Sequence, residues 1–220
     1  MDELRLPYRD RREAGQALAQ RLGHLRGDPA VLVLGLPRGG VAVAFEVAQA
    51  LHAPLDILVV RKLGYPGQEE YAMGAIASGG VCIMTQQPGP GVSQADIEAV
   101  IARERDELSR REALYRGEAP RESWDHRHLL LVDDGLATGS TMRAAVAAAR
   151  RHRPSRITVA VPVGDRTTCA SLSAEADEVV CAAMPGPFRA VSLWYRDFPQ
   201  AGDDEVRALL AQARRALEPH

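Results

Sequence analysis

The stretch VDDGLATGST, Val132 to Thr141, sets two adjacent carboxylates before a small loop of Gly, Ala, Thr and Ser. A carboxylate repels phosphate, whereas a Gly/Thr/Ser loop offers the backbone N–H and hydroxyl groups that a phosphate needs. The apolar run before it, His128 to Val132, reads as a buried strand, and Thr141 to Arg151 reads as a helix. A loop at a helix start, Ala137-Thr138-Gly139-Ser140-Thr141, is therefore placed to cradle one phosphate. Asp133 and Asp134 accept hydrogen bonds, and a vicinal diol donates them. A ribose 5-phosphate carries both groups on opposite sides of one ring. The alternative is an Asp pair that caps the next helix after a plain turn.

Outward from this stretch, strands alternate with helices. A helix starts near Asp10, with Glu13 placed for a capping contact and a stripe of Ala14, Leu18, Leu22 and Leu25. Val31 to Leu34 is a strand that ends in Gly35-Leu36-Pro37-Arg38-Gly39-Gly40, followed by a helix over Val41 to Leu51 and a strand over Leu55 to Val60. Residues 64 to 72 are turn-rich and polar. Met73 to Ala77 and Val81 to Met84 form a hairpin around Ser78-Gly79-Gly80. A Pro/Gly-rich stretch, Gln87 to Val92, leads to a long charged helix opened by Ser93 and Asp96, with Ile97, Ile101, Leu108 and Tyr115 on one stripe. That helix either packs over a sheet edge or forms part of a lid. Strands at Ile157 to Val161 and Glu178 to Ala182 flank a short helix at Thr167 to Ala174. A Pro- and aromatic-rich segment, Met184 to Phe198, precedes an amphipathic helix with Val206, Leu209, Leu210, Ala213 and Leu217. The expectation is a three-layer α/β/α fold with a mostly parallel central sheet, a hairpin and long-helix insertion, and a small C-terminal hood. Both glycine-bearing loops leave strand C-termini, where ligands sit in such sheets.

The 220 residues, 46% hydrophobic and 25% charged, suit one domain or one domain with an appendage. A formal charge of -2 gives no general attraction to nucleic acid or to an anionic membrane. Lys62 is the only lysine among 27 basic residues, so scattered arginines are not read as a binding patch. Cys82, Cys169 and Cys181 are odd in number and lack a CxxC pair, and six histidines show no HxxxH or HExxH spacing. Neither a disulfide framework nor a dedicated metal site is expected. His126 and His128 are expected at the surface, ahead of the strand core. The N-terminal MDELRLPYRDRREAGQ lacks an apolar core and no apolar run reaches membrane length, so a cytoplasmic location is expected.

VDDGLATGST closely resembles the 5-phosphoribosyl 1-pyrophosphate (PRPP) signature of type I phosphoribosyltransferases. GLPRGGVAVAFEVAQAL and FRAVSLWYRDF are similar to a less-studied branch of that family, and the likeness runs from about Tyr8 to Phe198. The resemblance implies one transferase domain over residues 1–220 that moves ribose 5-phosphate from PRPP to a nucleobase, with purine-type acceptors favoured, and releases pyrophosphate. Asp133 and Asp134 would hold the ribose hydroxyls, and Ala137, Thr138, Gly139, Ser140 and Thr141 the 5-phosphate. Pro37, Arg38, Gly39 and Gly40 resemble the family's pyrophosphate loop, with a tight turn as the alternative reading. Arg61 and Lys62 would add charge to it, or stand solvated at a strand end. Residues 64 to 118 would carry a mobile flap and the insertion. Phe188, Trp194, Tyr195 and Asp197, in a hood over 184–198, would cover the base, or merely close the sheet edge. Magnesium would arrive with PRPP, and a homodimer is allowed. Where hypoxanthine-guanine enzymes have an aspartate, Ala137 stands here, so no general acid/base is assigned. A regulator that binds PRPP or a nucleotide without chemistry is the competing class, and transfer to a non-base amine is a third option.

Overall fold

The computed structural model describes residues 6–84, 92–117 and 119–217. The chain opens with α1 (Arg11–Arg21), whose N-cap Asp10 accepts from the Glu13 N–H at 2.8 Å. Its apolar stripe continues through Leu22 into a 3₁₀ turn at Gly23–Leu25, and Ala14, Leu18, Leu22 and Leu25 are all buried. The expected βα alternation follows as β1 (Val31–Gly35), α2 (Gly39–Leu51) and β2 (Leu55–Ile57). After the insertion it resumes as β6 (His128–Val132), α4 (Ser140–Arg150), β7 (Arg156–Val163), α5 (Arg166–Leu172) and β8 (Glu178–Ala183). The chain closes with α6 (Asp203–Leu217).

These five strands form one parallel sheet in the order β2-β1-β6-β7-β8. β1 pairs in register with β6 from Val31↔His128 to Gly35↔Val132, so the loops after both strands leave side by side. Every residue of β1 and β6 is buried, as the near-continuous apolar runs require of strands covered on both faces. One face packs Val31, Val33, Leu130 and Val132 under α1, α2 and α6. The other packs Leu32, Leu34, Leu129 and Leu131 under α4 and α5. The small buried residues Ala144, Ala145, Ala148 and Ala149 line α4 where it meets the sheet. The three-layer expectation holds.

The region from Leu55 to Ala72 departs from expectation in two places. The apolar run Leu55 to Val60 is not one strand. β2 stops at Ile57, and Val60 opens β3 (Val60–Tyr65) in a second sheet of antiparallel β3-β4-β5, with β4 Gln68–Ala77 and β5 Val81–Met84. Two hydrogen bonds fix the break: Leu58 N–H donates to Gly35 O at 3.1 Å, and Val59 N–H donates to Ser78 Oγ at 2.8 Å. Residues 64 to 72, expected as a turn-rich flap, are a tight β3–β4 hairpin with register shifts on either side of Gly64. α3 (Gln94–Arg116) has the Ser93/Asp96 capping box and buries Ile97, Leu108 and Tyr115, with Ile101 only partly covered. It lies on the small sheet and α6, and α4 flanks the opposite side of that sheet. Most of the Pro/Gly-rich stretch, residues 87–91, lies outside the described residues. A further departure is His128, expected at the surface. It is buried inside β6, with its Nε2 2.8 Å from Thr158 Oγ1.

Candidate active site

The β1 and β6 loops touch. A Cβ built on Gly39 would collide with Asp134 Oδ2, and one on Gly40 would fall 2.8 Å from Asp133 Oδ1. Neither glycine has a positive φ, so a turn conformation does not demand them. The close approach of one loop to the other does. Pro37, Arg38, Gly39 and Gly40 are thereby brought to Asp133 and Asp134, as expected. α2 starts at Gly39 and α4 at Ser140, and neither has a side-chain cap. Two uncapped helix starts thus leave neighbouring strand ends, an arrangement that favours anions at both.

The 137–141 segment is held from below. Leu136 N–H donates to Val163 O at 2.9 Å, and Asp165 N–H donates to Leu136 O at 2.8 Å. Thr168 Oγ1 donates to Ala137 O at 2.7 Å. Gly139, at φ 76, turns the chain into α4 in a conformation that Cβ-bearing residues avoid. Thr138 Oγ1 and Ser140 Oγ lie 3.4 Å apart at the open side.

The carboxylates sit in a shielded, negatively charged environment. Burial, and then the charge of Asp134, push the Asp133 carboxyl well above the usual carboxylate range. Burial also raises Asp134, and Arg11 opposes the shift. Arg11 Nε donates to Asp134 Oδ2 at 2.8 Å. Sequence reasoning missed Arg11, because its partner lies 123 residues away and it is one of many arginines.

Other expected ligands have contacts of their own. Arg61 forms a two-pronged pair with Glu104 of α3, at 3.0 and 2.7 Å, so it ties the small sheet to that helix. Lys62 lines a cavity of about 660 Å³ together with Ser140, Thr141 and Arg143, which places it beside the hydroxyl loop rather than the 37–40 loop. Arg38 reaches Asp203 at the start of α6, with Nη1–Oδ1 3.9 Å. The hood does not present the expected flat face at Tyr195. That ring is buried against Tyr8 and Phe198, and its hydroxyl donates to the Asp134 carbonyl at 2.6 Å. Phe188 and Trp194 stack on each other, centroids 6.0 Å apart. Asp197 is exposed in a surface cavity with Asp10, Arg12 and Glu205. Val191 is a second hood residue that meets the loop, since a Cβ on Gly135 would lie 2.5 Å from its Cγ1.

Chemically, the site offers two anion-favouring helix starts with a carboxylate pair between them. Residues 10–185 match the family model described as the phosphoribosyl transferase domain. Proteins of two strains of Mycobacterium tuberculosis, provisionally named phosphoribosyl transferases, are 48% identical over 210 residues, which is 94% of this chain. The chain spans about half the length of these curated relatives (47%). A crystal structure of a Thermus thermophilus protein is 43% identical with a TM-score of 0.81, covering 93% of this chain and 98% of that one. Sequence profile, relatives and architecture agree, and the chain belongs to the phosphoribosyl transferase domain family.

Proposed function

We propose that this chain binds PRPP across the two loops and transfers its ribose 5-phosphate to a nucleobase nitrogen, with purine-type acceptors favoured. The observation that carries the reading is the contact of Gly39 and Gly40 with Asp134 and Asp133. It sets a place for a diphosphate within one sugar's length of carboxylates suited to a diol. The 137–141 cradle, which follows those carboxylates in the same loop, takes the 5-phosphate. As the bond from C1 to the diphosphate oxygen breaks, the bonding pair leaves with pyrophosphate. N–H groups at the α2 start, together with Arg38, stabilise the growing charge. The base nitrogen supplies the new bond to C1 and gives up its proton.

Magnesium would arrive as part of the substrate. Among the described residues no group of three or more His, Cys, Asp or Glu converges. Magnesium commonly keeps its waters and substrate phosphates as ligands. Among the described residues no helix is long and apolar enough to cross a membrane.

The test is a screen of nucleobases with PRPP and magnesium, read as pyrophosphate release. At least one base is expected to elicit release and to yield its 5′-monophosphate. PRPP binding with no release for any base or amine would replace the transferase with a ligand-sensing role.

A further inference from the structure

We infer that Arg11 is a positioning residue of this site: through Asp134 it fixes the carboxylate that receives the ribose diol and ties it to the C-terminal hood. The inference rests on the PRPP reading above and adds a residue that no motif contains. The guanidinium makes three separate contacts. Nε donates to Asp134 Oδ2 at 2.8 Å, Nη1 donates to Pro199 O at 2.8 Å, and the central carbon lies 3.8 Å from the Phe198 ring centroid. The ion pair is shielded, with side-chain exposures of 12% and 16%. A Cβ on Gly39 would lie 3.1 Å from Arg11 Nε, so the diphosphate loop passes over the same point. One guanidinium therefore joins α1, both ligand loops and residues 198–199.

A surface salt bridge contributes little and needs no such convergence. Here the planar fork holds one oxygen of Asp134 and orients the other, while the aromatic face fixes the fork itself. The groups facing Asp134 are Asp133 on its own loop, Arg11 from α1 and Tyr195 from the hood, with Tyr8 behind Tyr195. Only Arg11 among them is cationic, so it is the group that opposes the upward shift burial gives the Asp134 carboxyl and favours the form that accepts from a hydroxyl.

The test is calorimetric titration of ribose 5-phosphate, and separately of inorganic pyrophosphate with magnesium. The proteins are wild type, Arg11→Gln, Asp134→Asn and the double variant. Each single change is expected to weaken ribose 5-phosphate by on the order of 10- to 100-fold, the value of one hydrogen bond to a charged group. Pyrophosphate affinity is expected to stay near wild type. Because Arg11 acts through Asp134, the double variant should lose no more than Asp134→Asn alone. The acid limb of ribose 5-phosphate binding should move to higher pH in Arg11→Gln, and the ligand's own phosphate titration cancels in that comparison. Should Arg11→Gln not fold, Arg11→Lys keeps the charge without the fork, and it is expected to bind more weakly with an unshifted acid limb. Wild-type affinity in either Arg11 variant, or losses that multiply in the double variant, would overturn the inference. A wild-type protein that binds neither ribose 5-phosphate nor PRPP overturns the sugar-phosphate reading itself, before any substitution is made.

Discussion

Asp133 is the residue at which stability and function pull apart. Its carboxyl is raised by burial and by Asp134, so in the folded chain it holds a proton that the unfolded chain has already released. This contribution stabilises the fold below the ordinary carboxylate value and is lost as pH rises through the folded value. Ionising this carboxyl therefore costs the ligand-free fold stability. Asp133→Asn keeps an acceptor for the Asp134 N–H, which lies 2.9 Å from Oδ1. The variant is expected to melt higher than wild type at pH 8, with the difference shrinking towards pH 4, while ribose 5-phosphate binding weakens. Thermal scans across that range decide the point; equal melting at pH 8 would show that the carboxylate is not strained. Gly39 gives a related lesson. Its substitution would strike Asp134 before any ligand arrives, so damage there reports loop packing as well as diphosphate access.

At the scale of elements, the small sheet and α3 act as one unit. Arg61 joins β3 to Glu104, and Arg116 at the end of α3 donates to Asp56 of β2 at 2.8 Å and to Ile57 O at 2.9 Å. Removing Arg61 leaves buried Glu104 with only the longer Arg103 contact at 3.3 Å, which costs about 1–3 kcal/mol. Arg61→Met is therefore expected to lower stability by that amount in urea denaturation and to leave pyrophosphate affinity unchanged. An intact stability with weakened pyrophosphate would return Arg61 to the ligand site. Sequence alone misplaced this region for physical reasons. Ile57 to Val60 is uniformly apolar, so nothing in it marks the break, which comes from the chain leaving one sheet for another at Leu58 and Val59, held by Gly35 and Ser78. The 64–72 hairpin carries polar residues on exposed strand positions and a register shift at Gly64, so no clean alternation marks it. By contrast, β6, its loop and α4 were legible because strand, turn and helix start are all encoded within a short local window.

Across the whole molecule, the site is closed by contacts that no local pattern announces. Tyr8 N–H donates to Trp194 O at 2.9 Å, Tyr195 reaches the Asp134 carbonyl, and Arg11 reaches Phe198 and Pro199. Residues 8–11 and 194–199 thus meet beside the carboxylate loop. The aromatic stretch reads in sequence either as a hood over the base or as a closure of the sheet edge, and Tyr195 packs on the protein's own Tyr8 and Phe198.

The central claim is that the β1 and β6 loops hold one molecule of PRPP between them, and calorimetric titration with Mg-PRPP and with magnesium pyrophosphate tests it most directly. Wild type should bind both ligands. The Asp133→Asn/Asp134→Asn double variant should lose PRPP affinity by on the order of 10-fold or more, from weaker acceptance of the diol, while pyrophosphate affinity holds. Equal PRPP affinity in wild type and the double variant would contradict the account, because the carboxylates would then have no part in holding the sugar.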